Sequence, residues 1–214
     1  MWDFVVERRE QIAYNTFQHL NLVLQAVLVA TVVAVLLAVL IVRTPALQGV
    51  ANALSAIGLT IPAFALVGLL LPVFSVGSFT AFIAIAFYAV LPVLRNAVVG
   101  LQGVDPALVE SARGMGMSPL AVLWRVRLPL AWPVILAGVR VSMQMSMGVA
   151  AIAAYVLGPG LGGYIFRGLG TIGGANAVNY AVVGTVGIVV VALLADALLL
   201  LLGRLTVSRG IRVA

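Results

Sequence analysis

Five long apolar runs, at about residues 19–42, 47–71, 78–100, 132–157 and 178–203, decide what this chain can become. A membrane helix needs about 20 mainly apolar residues, so each run is long enough to cross a bilayer. Each is apolar around its whole circumference, as helices packed among lipid and one another require. The expectation is an all-α integral membrane protein with five transmembrane helices, built as one domain over residues 1–214 with no room for a soluble catalytic domain. Pro62, Pro72 and Pro92 predict kinks or helix ends. Gly58, Gly68, Gly100, Gly148, Gly184 and Gly187 permit close helix contact or bends.

Composition removes several classes of function. All twelve basic residues are arginine, so the lysine of a nucleotide-binding phosphate loop is missing. The chain has no cysteine, which excludes disulfides, thiolate metal sites and cysteine nucleophiles. His19 is the only histidine and, at the outer edge of the first run, reads as an interfacial anchor. No catalytic residue and no metal site is expected. The arginines are scattered between apolar runs, which speaks against nucleic-acid binding. An ion channel would need a selectivity ring or filter, and none is visible. The polar start, Asp3 to Glu10, lacks the features of a cleaved signal, so the first span is expected to serve as its own insertion signal.

Arginine placement predicts orientation. With the N-terminus outside, Arg43, Arg113, Arg125, Arg127, Arg204, Arg209 and Arg212 fall on the cytoplasmic side, and Arg8, Arg9 and Arg167 remain outside. Five spans then put the C-terminus in the cytoplasm.

Two stretches interrupt the apolar plan. Residues 158–174 hold eight glycines in seventeen positions, too many for a regular helix through the stretch. Residues 101–131 form the long polar segment on the predicted cytoplasmic side. There Asp105-Pro106 and Ser118-Pro119 each set a capping side chain before a proline suited to the first helical position. Two short helices are predicted, one from 106 to about 115 with Gly116 as its left-handed cap, the other from 119 to about 126, ending before Pro129. Leu108, Val109, Ala112 and Met115 share an apolar face, so this helix-turn-helix reads as a docking element.

Glu110-Ser111-Ala112, three residues, Gly116, nine residues, Val126, one residue and Leu128-Pro129 resemble the EAA loop of bacterial ABC importer permeases. That loop reads Glu-Ala-Ala, three residues, Gly, nine residues, Ile, one residue, Leu-Pro. Ser111 stands for the first Ala and Val126 for the Ile; the spacing matches throughout. The stretches 58–62 (GLTIP), 88–96 (YAVLPVLRN) and 160–168 (GLGGYIFRG) are similar to the osmoprotectant branch, the permeases for glycine betaine, choline and carnitine. The resemblance implies a MetI-like permease fold in the bacterial cytoplasmic (inner) membrane. It also implies a separate ATPase that holds ATP and Mg, a second permease subunit, an extracytoplasmic substrate-binding protein and contact with membrane lipid. Glu110, Ser111, Ala112, Gly116, Leu128 and Pro129 are then the ATPase-coupling residues. A permease for another small solute, such as an amino acid or a thiol-betaine, is the alternative.

Asp196 is the one acid inside a predicted span, where an unpaired charge is costly. Arg140 and Arg204 are its candidate partners. A quaternary ammonium solute is best held by aromatic faces. Phe64, Tyr88 and Tyr155 are the candidate substrate-pathway residues, among aromatics that also include Phe74, Phe79 and Trp132.

Overall fold

The computed structural model describes residues 1–44 and 46–207, and every regular element among them is helical. Arg209 and Arg212, counted above toward the cytoplasmic charge, lie outside the described residues. The chain opens with α1 (Trp2–Glu7) and α2 (Arg9–Arg43), and the first apolar run lies within α2. The third run lies in α5 (Ser78–Gln102) and the fifth in α10 (Ala177–Thr206). The fourth lies in α8 (Leu128–Ala153), which a 3-10 turn extends to Val156. These four helices are long and apolar enough to cross a membrane.

The second run is not one straight helix. It divides into α3 (Ala46–Thr60) and α4 (Ala63–Phe74), bent by 98° at Ile61–Pro62. Pro62 lacks an N–H and disfavours helical geometry at Ile61, so the ladder stops there. The freed Ile61 carbonyl accepts a hydrogen bond from the Tyr88 hydroxyl of α5. As one span, the bent pair would bring the total to five. Pro92, by contrast, sits inside an unbroken α5, where the Asn96 side-chain amide donates to its carbonyl at 2.9 Å.

Inside a bilayer, lipid is as apolar as leucine, so helices associate where small side chains let their backbones approach. On α2 the buried stripe is Ala26, Ala30, Ala34 and Ala38, repeating every four residues. The opposite stripe, Leu24, Leu28, Val32, Leu36 and Leu40, is exposed. α5 packs along both α2 and α8 at the centre of the bundle. There the buried Ser142 hydroxyl of α8 donates to the Ala89 carbonyl of α5 at 2.8 Å. A Cβ on Gly138 would lie 2.6 Å from Asn96 Cβ, so glycine permits that helix crossing.

No helix runs through the whole glycine-rich stretch, as expected, but irregular chain at 157–161 and 171–176 brackets an ordered middle. A nine-residue helix, α9 (Gly162–Gly170), forms within it. A Cβ on Gly162 would fall 2.3 Å from the Ala151 carbonyl oxygen, and one on Gly168 2.6 Å from that of Ala177. These glycines allow α9 to press its backbone against α8 and α10; they are not signs of irregular chain. His19 is also corrected. It is fully buried, with its Cβ only 2.7 Å from where Gly160 would carry one, and is not an interfacial anchor. Phe4 of α1, Tyr164 of α9 and Tyr180 of α10 form a small cluster at the same end. Arg8 donates to the Tyr180 hydroxyl at 3.2 Å, and Tyr164 donates to Gln11 at 3.1 Å. Burial raises the Tyr164 pKa, which keeps this phenol a donor.

Candidate functional site

The connection from α5 to α8 folds as two capped helices. α6 (Pro106–Gly114) starts at Asp105, whose carboxylate accepts from the Ala107 N–H at 2.8 Å. It ends in a Schellman turn: Gly116 N–H donates to the Arg113 carbonyl at 2.9 Å and Met117 N–H to that of Ala112 at 3.2 Å. Gly116 has φ +83°, the left-handed geometry that this turn demands. α7 (Pro119–Val122) starts at Ser118, whose hydroxyl accepts from the Ala121 N–H at 3.3 Å.

The second helix does not end before Pro129. Five residues of π-helix, Leu123–Arg127, carry it directly into α8, where Pro129 occupies the first turn. The π turn shifts the pairing, so that Leu128 N–H reaches the Leu123 carbonyl and the missing proline N–H falls where the new α-helical ladder begins. Loop helix and membrane helix are one continuous element, Pro119–Val156.

The apolar face of α6 divides. Val109 and Ala112 point inward and pack in a small core with Val104 and Val122, while Leu108 and Met115 are exposed. At 3.6 residues per turn, the inward direction falls between Val109 and Ala112 and leaves the other two on the flank. Ala112 thus secures the loop from inside. Leu120 and Trp124 are exposed as well, 59% and 64%, and extend the loop's apolar surface. Sequence reading missed these two, although their spacing of four behind the Ser118-Pro119 cap was a usable signal. Glu110 and Ser111 are exposed, Leu128 packs against the main core, and Pro129 is exposed.

Between α8 and α10, Arg140 and Asp196 form a two-pronged ion pair, Nε to Oδ1 at 2.8 Å and Nη2 to Oδ2 at 2.9 Å. The fork geometry uses both carboxylate oxygens, the strongest arrangement open to this pair. Of the aromatic candidates, Phe64 and Tyr155 meet with ring centroids 4.8 Å apart, and Phe166 adds a third ring 5.5 Å from Tyr155. Tyr88 is buried and engaged with the Ile61 carbonyl. Among the described residues no three of His, Cys, Asp or Glu converge as metal ligands.

A family model described as "Binding-protein-dependent transport system inner membrane component" matches residues 12–207. The chain belongs to that family. This permease family supplies the membrane component of a transport system, and the apolar helices above are the material of such a component. The chain is 36% identical over 202 residues to the choline transport system permease protein OpuBB of Bacillus subtilis (strain 168), covering 94% of this chain and 91% of that one. It is 36% identical over 214 residues to the osmoprotectant import permease protein OsmW of Salmonella typhimurium, covering 98% of each. The fold matches a chain of the MetNI methionine ABC transporter in an inward-facing conformation, with TM-score 0.76, 20% identity, and coverage of 97% and 99%.

Proposed function

We propose that this permease moves a small osmoprotectant of the quaternary-ammonium type, glycine betaine, choline or carnitine, driven by a separate ATPase subunit that holds ATP and Mg. One observation carries the mechanical half: a rigidly capped helix-turn-helix between α5 and α8 that presents Leu108, Met115, Leu120 and Trp124 outward. The substrate class rests on the kinship with the choline and osmoprotectant permeases. The aromatic grouping of Phe64 and Tyr155 supports it, since ring faces attract a quaternary cation. Two such permeases, identical or homologous, form a pathway at their interface. A binding protein delivers solute on the outer face. ATP binding draws the two coupling loops together and opens the pathway outward; hydrolysis resets it. Glu110 and Ser111 supply polar contacts in the ATPase groove, Gly116 sets the turn, Ala112 and Leu128 fix the loop on the bundle, and Pro129 opens the membrane helix.

The test is ATP hydrolysis by the reconstituted complex with its binding protein. Glycine betaine, choline or carnitine should stimulate it; stimulation by amino acids alone would overturn the substrate class. Met115→Asp combined with Trp124→Asp should cut solute-stimulated hydrolysis or ATPase co-purification about tenfold, because two apolar anchors worth roughly 1 kcal/mol or more are lost. Membrane insertion should persist, since neither residue lies in an apolar run. Gly116→Val should act in the same direction through the turn. Unaltered uptake and ATPase association in both variants would remove the coupling assignment.

Orientation follows the arginine bias, with the N-terminus outside and the C-terminus in the cytoplasm. A cysteine placed at Ser118 should resist an impermeant external reagent in intact cells, and one at Thr171 should react. Labelling of the Ser118 position from outside would reverse the topology. Ser208, a third position for such a probe, lies outside the described residues.

A further inference from the structure

A cleft of about 330 Å³ opens where the ends of α2 and α5 meet the loop helices, and it is lined by three arginines from three elements. Arg43 is the last residue of α2, Arg113 lies on α6, and Arg127 closes the π turn. An adjoining cavity of about 320 Å³ shares Arg113 and Arg127 and adds Glu110 to its wall. Glu110 makes no ion pair with them, and the ion pairs formed among the described residues lie elsewhere, at Arg8–Glu7 and Arg140–Asp196. Like charges gathered in a partly enclosed site repel, and an anion between them reverses the sign of the interaction.

The chemistry of that anion is constrained. Guanidinium forks match the paired oxygens of a phosphate, and a phosphate can accept from several of them at once. The remaining walls are apolar, with Val39 and Val42 of α2 leading from the arginines back along the first apolar run. The cleft also lies at the ends of the first and third apolar runs, since α2 ends at Arg43 and α5 ends one residue beyond the lining residue Leu101. Basic pockets between the ends of membrane helices suit anionic lipid headgroups. We propose that this cleft binds a phosphate-bearing anion, the headgroup of an anionic phospholipid whose chain lies along α2. Bound there, the headgroup ties α6 and the π turn to the end of α2. The inference needs only that α2 and α5 span the membrane, not that the loop docks an ATPase or that any particular solute is moved.

The experiment uses the full-length protein in neutral detergent, titrated separately with phosphatidylglycerol, phosphatidylcholine and inorganic phosphate. Bound lipid is counted by native mass spectrometry, and the thermal midpoint is followed in parallel. Phosphatidylglycerol should be retained and should raise the midpoint, whereas phosphatidylcholine should do neither. Arg43→Gln combined with Arg127→Gln should weaken retention about tenfold or more, as expected for two lost charge-assisted contacts. Arg9→Gln, at the opposite end of α2, should bind as the unaltered chain does. A purely structural cluster would make the double variant melt lower without lipid; relief of repulsion predicts a midpoint unchanged or raised. Arg127→Lys keeps the charge without the fork and should bind between the two. If inorganic phosphate displaces the lipid and gives the same rise in midpoint, the occupant is the free anion in the same arginine site. Equal retention of the two lipids, or undiminished binding by the double variant, would overturn the proposal.

Discussion

Replacing Asp196 by leucine is expected to lower the recovery of folded protein from membranes severely, because it strands the Arg140 guanidinium between α8 and α10. The two-pronged contact at 2.8 and 2.9 Å satisfies both partners, and their side chains are 33% and 17% exposed for Arg140 and Asp196. Removing one member of a buried pair costs about 3–5 kcal/mol, and the partial exposure of both side chains makes this case smaller. Two kcal/mol already changes a folded-to-unfolded ratio by more than tenfold. Arg140→Leu in the same chain removes the stranded charge and should restore most of the recovery, since a pair replaced by apolar side chains is close to neutral. The measurement is the monodisperse peak height of a fluorescent fusion in detergent, compared among the unaltered chain, each single variant and the double variant. A double variant no better than Asp196→Leu alone would show that the stranded Arg140 charge is not what lowers recovery; an Asp196→Leu chain recovered like the unaltered one would show that the pair contributes nothing to assembly.

Gly162→Val is expected to be the most damaging single change at the α9 end. The added Cβ would meet the Ala151 carbonyl oxygen at 2.3 Å, and a backbone atom inside a packed helix cannot swing aside as a side chain would. Overpacking of this kind costs about 1–3 kcal/mol. At roughly 2–4 °C per kcal/mol for a chain of this size, the midpoint should fall by up to about 12 °C. Gly163→Val supplies the control. No atom beyond the local turns of its own helix lies within 4 Å of the Cβ it would gain, and valine favours a helix over glycine, so its midpoint should hold or rise slightly. Equal effects at the two positions would mean that the glycines serve chain flexibility and not close approach.

Much of the architecture was legible because the bilayer requires length before anything else. Apolar runs of 20 or more residues announce spans without any knowledge of their partners. The loop helices were legible for a different reason: Asp105-Pro106, Ser118-Pro119 and Gly116 each satisfy a backbone need that arises within one turn of chain. What stayed hidden depended on neighbours distant in sequence. The inward face of α2 is marked by size and not by polarity, with alanine inside and leucine outside, so a search for an amphipathic stripe cannot find it. His19 looked like an edge residue because the turn at Gly160 that covers it arrives 141 positions later. Glycines in 158–174 signalled a broken chain, but contact with α8 and α10 gave α9 its reason to be helical. Ala112 and Met115 lie on neighbouring parts of one helical face, and only the position of Val122 decides which of them is inside. Asp196 advertised a need for a cation; choosing Arg140 over Arg204 required the packing of two helices.

The unbroken passage from Pro119 to Val156 makes the loop and the membrane helix a single rod of 38 residues, about 57 Å at the α-helical rise. A rod transmits rotation as well as translation. Adding or deleting one residue within its first nine would turn the edge carrying Leu120 and Trp124 by about 100° around the axis relative to the buried face of α8. The π turn already contains one such offset, an extra residue in a single turn, and so sets the angular phase between the two ends. Side chains in this stretch can therefore vary in identity more freely than the stretch can vary in length, and a length change here would re-aim the loop while leaving every membrane contact of α8 in place.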